Sequence, residues 1–168
     1  MRALKSVYTL VAVTSFVACA REPQEVPVPL GDGLGMVLQS NYSMAAAQLK
    51  FSSSAMFAAN FADTGIIAAT PLGVLRGRDA IQRRLGPLGI SMGFNDWNRN
   101  SEGHQVAGRI VKDSGTYEIK GVRPDNPIVI DLRGRYWTTW YLTPAGAWQI
   151  IADTLLGEGK TKEQFAGR

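Results

Sequence analysis

Gly134-Arg135-Tyr136-Trp137-Thr138-Thr139-Trp140-Tyr141-Leu142 is dense in aromatic and β-branched residues and reads as part of one long strand, Ile128–Leu142. Side chains alternate across a strand, so Tyr136, Thr138, Trp140 and Leu142 share one face, and Arg135, Trp137, Thr139 and Tyr141 share the other. Pro144-Ala145-Gly146 supplies a turn, and Ala147–Leu156 returns as a second strand. Upstream, Gly115-Thr116-Tyr117 echoes Gly134-Arg135-Tyr136. The echo is too short for a repeat architecture. It reads as two neighbouring strands entering the same core.

Farther out, the pattern predicts strands Ile90–Asn98 and Gln105–Lys120, with turns at Ser101-Glu102-Gly103 and Pro124-Asp125-Asn126-Pro127. The N-terminal half is helical in period. Leu38, Tyr42, Ala45 and Leu49 fall on one face of a helix over Leu34–Leu49. Ser52 is the expected N-cap of a second short helix that turns Met56, Phe57 and Phe61 inward. Gly65–Thr70 reads as a short strand stopped by Pro71 and Gly73, and Gly77–Leu85 as a third helix. Helices first and an antiparallel meander afterwards predict an α+β fold with helices on one face of the sheet.

The N-terminus carries a different signal. Arg2 and Lys5 precede Ser6 to Ala18, an almost continuous apolar run. It is too short to span a bilayer, which takes roughly 20 residues, and it suits a signal peptide. Phe16-Val17-Ala18-Cys19 resembles a bacterial lipobox. The expectation is a signal peptide over 1–18 and acylation at Cys19. Pro23, Pro27, Pro29, Gly31 and Gly33 make 19–33 a tether that reaches about 40 Å at about 3 Å per residue. The folded domain then covers 34–157 and a polar tail covers 158–168. Acyl chains on Cys19 would anchor the domain to a membrane. Ala20 after the cysteine favours the periplasmic side of the outer membrane, with soluble periplasmic secretion as the rival.

Composition excludes several functions. With Arg2 and Lys5 removed, 16 basic and 14 acidic residues remain. The bases are scattered and form no stripe of the kind nucleic acid needs. Cys19 is the one cysteine and His104 the one histidine, so neither an internal disulfide nor a Cys/His metal cluster is available. No metal and no cofactor are expected.

Four segments in order resemble the nuclear-transport-factor-two-like superfamily, which includes SnoaL-like cyclases and ketosteroid isomerase. They are Phe61-Ala62-Asp63, then Val74 to Ile81 around Arg76-Gly77-Arg78, then Ser114-Gly115-Thr116-Tyr117. The fourth runs from Gly134 through Trp140 and Gly146-Ala147-Trp148-Gln149-Ile150 to Asp153. The resemblance implies a curved sheet wrapped around the helices to leave an apolar cone. It also places the Thr138 face inside the cone and implies pairing of two copies through the convex face. That fold hosts many chemistries, so it does not fix a function.

Ketosteroid-isomerase chemistry needs a carboxylate base, a tyrosine and a protonated acid. The matching positions fall near Thr70, Ala46 and Thr138, none of which can serve. Asp153, with Tyr117 and Arg76, is the remaining polar constellation for an isomerase, dehydratase or cyclase. Asp153 has a structural alternative, a pair with Arg135. His104 reads as a solvated turn residue and Asp63 as a turn or cap carboxylate. Tyr42, Thr70, Tyr117, Tyr136, Thr138, Trp140 and Trp148 are the expected ligand-binding wall, suited to a small, largely apolar molecule. Trp137 and Tyr141 on the opposite face predict a homodimer, because aromatics beside an arginine match an interface core. A noncatalytic scaffold domain is the third reading.

Overall fold

The computed structural model describes residues 27–29, 31–50, 53–70, 72–92, 94–123 and 126–158; the side chains of 32, 50, 86–92, 94–95, 122–123 and 126–130 fall outside what it describes. The export segment, Cys19 and the tail from residue 159 lie outside the described residues, as do Ser52 and Pro71.

Helix α1 (Asp32–Lys50) buries Leu34, Leu38, Tyr42, Ala45 and Leu49, the stripe that the 3.6-residue period predicts. The short α2 (Ser54–Ala59) follows, with Ser53 at its N-cap position making no side-chain cap bond. Phe57 is buried there, but Met56 is 57% exposed and Phe61 already belongs to the next strand. Expecting all three to face inward from one helix is therefore corrected: six residues are too few to place all of them on one buried stripe.

Strands β1 (Phe61–Ala69) and β2 (Gly73–Arg76) form a hairpin. Helix α3 (Arg78–Met92) then packs on α2 and β1. The long strands β3 (Phe94–Ala107), β4 (Ile110–Arg123), β5 (Asn126–Leu142) and β6 (Trp148–Gly157) complete one six-stranded sheet in the order β2-β1-β6-β5-β4-β3. The β1–β6 pair is parallel and the other four pairs are antiparallel. The fold is α+β, with three helices held against a curved, mainly antiparallel sheet.

Several boundaries differ from the sequence expectation: β1 starts at Phe61 rather than Gly65, Gly73–Arg76 forms a strand that the sequence does not predict, and β5 starts inside the expected Pro124–Pro127 turn. Gly86-Pro87 reads as a helix stop, yet α3 continues to Met92 and the strand expected from Ile90 begins at Phe94. Ser101-Glu102-Gly103 is not a turn but an irregularity inside β3, where the register against β4 shifts between Ser101 and Gly103. The chain reverses at Gly108-Arg109 instead.

The glycine echo has a steric cause. Gly115 lies opposite Tyr136, and Tyr117 lies opposite Gly134. A Cβ on Gly115 would collide with the Asn100 carbonyl, and one on Gly134 with the Leu156 carbonyl. Both glycines let the backbone of the neighbouring strand approach closer than any side chain would allow.

Candidate functional site

Alternation carries a set of polar side chains into the core. On β4, Val111, Asp113, Gly115, Tyr117 and Ile119 all face inward. On β5 the inward set is Tyr136, Thr138, Trp140 and Leu142, as expected. Arg99 of β3 lies opposite Tyr117 and is buried with it. On β6, a register shift between the Thr139 and Trp140 partners lets both Ile150 and Asp153 point inward. Tyr42 enters from α1.

These residues form one network. Arg99 clamps Asp153 through both terminal nitrogens, Nη1 to Oδ1 at 3.0 Å and Nη2 to Oδ2 at 2.7 Å. The same Nη1 donates to Thr138 Oγ1 at 2.8 Å, and the Thr138 hydroxyl donates to Asp153 Oδ1 at 2.6 Å. The guanidinium carbon lies 4.3 and 4.8 Å from the ring centroids of Tyr42 and Tyr136, which meet each other edge-on beside it. Asp113 takes three hydroxyl donors: Ser101 at 2.5 Å, Tyr136 at 2.8 Å and Tyr42 at 3.2 Å. Trp140 Nε1 donates to the Tyr42 hydroxyl at 3.2 Å. Tyr42 meets Tyr136 and Trp140 edge-on, with centroids 5.6 and 5.1 Å away. Asp113 and Asp153 are only 1% and 2% exposed.

Burial governs the ionisation of the tyrosines. It pushes the Tyr42 hydroxyl well above its ordinary value, against the opposing pull of Arg99 and with the help of Asp153 and Asp113. Tyr136 rises for the same first reason, reinforced by Tyr42 and by its bond to Asp113. Both hydroxyls are therefore protonated donors at neutral pH. Burial lowers Arg99, but the charge and hydrogen bonds of Asp153 outweigh that and hold it cationic.

The arrangement brings together Tyr42, Tyr117, Tyr136, Thr138, Trp140 and Asp153 from the sequence reading. Trp148 lies opposite Leu142, half-buried against the core. Thr70 is exposed beyond β1, its N–H donating to the Leu155 carbonyl. Arg76 is exposed and borders a separate cleft of about 370 Å³ with Asp63, Arg78 and Arg83, so it does not join Asp153 and Tyr117. Asp153 faces inward to Arg99, whereas Arg135 pairs with Glu102 outside at 2.6 Å. Asp63 is in β1 and pairs with Arg78 at 2.9 Å. His104 is an exposed residue of β3, not of a turn.

Sequence reasoning missed Arg99 and Asp113. Asp113 shares the inward parity of Val111, Tyr117 and Ile119, and that signal was readable. Arg99 sits just past the predicted end of a strand, so its parity was not. Among the described residues, no group of three histidine, cysteine or carboxylate side chains is placed to hold a metal ion.

No protein-family model matches the sequence, and no curated protein matches it. Solved structures do. A nuclear transport factor 2 (NTF2-like) superfamily protein from Salmonella enterica serovar Typhimurium superposes with a TM-score of 0.62 at 16% identity, over 75% of this chain and 92% of that one. The chain has the nuclear-transport-factor-two-like fold. Two further structures agree on that fold. A ketosteroid isomerase-like protein from Erwinia carotovora matches with a TM-score of 0.60 at 11% identity, over 73% of this chain and 95% of its own. A conserved protein from Planctomyces limnophilus matches at 0.63 and 12%, over 75% and 97%. At these identities the nuclear-transport-factor-two-like likeness concerns architecture alone.

Proposed function

We propose that this chain is an exported, lipid-anchored protein that binds a small, largely apolar molecule in its cone. One observation carries the binding reading. The interior holds an ion pair, a second carboxylate and two tyrosines where an apolar core would be at least as stable. Perturbed groups of this kind concentrate at functional sites. The surrounding Trp140, Tyr42 and Tyr136 rings supply apolar wall, and the network supplies a polar head. The anchor rests on the lipobox-like run ending at Cys19.

The test is a titration of the full-length protein with N-phenyl-1-naphthylamine, an uncharged fluorescent probe. Saturable enhancement in the wild type, weakened in Trp140→Phe, is the expected result. A wild type with no saturable response would sink the reading.

A further inference from the structure

Helix α1 turns to solvent a surface without charge. From Gly33 to Leu49 the chain has no charged residue, and α2 has none. A helix on a protein surface ordinarily sets charged side chains opposite its buried stripe. Here Met36 lies two positions after Leu34, and Met44 two after Tyr42, which at 3.6 residues per turn is the side away from the core. They are 74% and 51% exposed, and Met56 of α2 is exposed as well. Flexible thioethers of this kind adapt to irregular apolar surroundings.

The third helix adds cations to the same layer. Helices α1, α2 and α3 pack on one another, so the faces opposite their buried stripes make one outer surface. Arg83 lies two positions after the buried Ile81, and both Arg83 and Arg84 are exposed. Arg76 and Arg83 border the same cleft of about 370 Å³. None of Arg76, Arg83 and Arg84 makes an ion pair with a described residue. Asp63 in that cleft is taken by Arg78, which leaves Asp79 as the opposing carboxylate there and a net of two positive charges among the described residues. On the outer face of the sheet the charges are matched instead, Arg135 with Glu102 and Arg133 with Asp131 and Glu118.

The chain brings this layer close to the lipidation position. Val28 packs against the core, and α1 starts at Asp32. Eight peptide steps lead from Cys19 to Pro27, a reach of at most about 30 Å. A domain held that near a bilayer meets it at high effective concentration. Charge then selects the face and its occupant. An anionic surface complements the unpaired arginines, and each arginine near it strengthens association about fivefold. A second copy docked face to face would set arginine against arginine.

We infer that the outer face of the helical layer docks on an anionic phospholipid surface, with Met36, Met44 and Met56 entering the headgroup region and Arg76, Arg83 and Arg84 against the lipid phosphates. This rests on the reading of Cys19 as a lipid anchor, which supplies nearness and not affinity. The test puts an environment-sensitive nitrobenzoxadiazole label on Met44→Cys in the full-length protein purified from cells. Acylation consumes the Cys19 thiol, so only the new cysteine takes the label. The protein is reconstituted into vesicles of phosphatidylcholine alone, or of phosphatidylcholine and phosphatidylglycerol in equal parts. Val106→Cys, at an exposed position of β3, carries the control label. The α1 label should brighten and shift to the blue on the phosphatidylglycerol vesicles only, and high salt should reverse both changes. The β3 label should not respond. Arg83→Glu together with Arg84→Glu should abolish the α1 response while the acyl chains keep the protein on the vesicles. The same emission from the α1 label on both kinds of vesicle overturns the inference and leaves the anchor standing. A β3 label that responds as strongly as the α1 label overturns it too. Brightening that grows with protein concentration in the absence of vesicles assigns the face to a second copy and overturns it as well. A Cys19 without acyl mass overturns the anchor reading. The labelled chain carrying Cys19→Ser then decides the docking by the same comparison of vesicles.

Discussion

Tyr42 and Tyr136 tie the interior to alkaline pH. Their folded pKa values stand above the ordinary 10, so the stability they contribute is fully present below that value and is lost as pH rises beyond it. Each tyrosine held protonated costs about 1.4 kcal/mol per pH unit above its unfolded value. The protein should unfold cooperatively above pH 10, with these two phenols ionising only as it does so. Tyrosinate absorbance at 295 nm followed beside circular dichroism checks this, and Tyr136→Phe should make the loss of stability above pH 10 less steep. The Arg99–Asp153 pair yields a second prediction. Asp153→Ala strips the guanidinium of its counter-charge in a place water does not reach. A loss of about 3–5 kcal/mol in urea unfolding is expected, far more than at an exposed pair such as Arg135–Glu102. The sequence showed one half of this network and hid the other. Thr138, Tyr136 and Trp140 were legible because an unbroken apolar alternation flanks them. Asp113 was legible in parity but interrupts an apolar face. Arg99 was not legible, since a buried arginine makes sense only once its partner 54 residues away is known.

The elements were readable wherever period and punctuation agreed. Helix α1 and strands β5 and β6 emerged close to their observed bounds. Failures came where turn-forming residues serve another purpose. Ser101-Glu102-Gly103 shifts the register of β3 without ending it, and Gly86-Pro87 lies inside α3. The two echoed glycines form a visible pattern in the sequence, but their cause is a backbone collision that exists only in three dimensions. Gly134→Ala should therefore cost about 2 kcal/mol or more, by forcing β5 away from the Leu156 carbonyl of β6. Thermal unfolding would measure it. Gly33→Ala, at an open position of α1, is the control and should be neutral or mildly stabilising.

On the scale of the whole molecule, the outer face of the sheet invites a partner. Trp137 is 43% exposed, and a cleft of about 410 Å³ lies beside it between Gly103 and Thr139. A homodimer through this face remains our proposal. Sedimentation should show a concentration-dependent dimer that Trp137→Glu reduces to a monomer of unchanged thermal stability. Cys19→Ser should move the protein from the membrane fraction to the soluble one, or leave it as an uncleaved precursor, when cell fractions are compared by immunoblot. The strand order has a consequence for biogenesis. The last strand, β6, sits in the middle of the sheet, parallel to β1 and antiparallel to β5. Until it arrives, β1–β2 and β3–β4–β5 are two separate ribbons, each with an unsealed edge, and Arg99 lacks its counter-ion. If the chain is exported as proposed, its sheet cannot close until β6 has crossed the membrane. Sheet closure waits on the last strand, which makes β6 the clasp between the two ribbons.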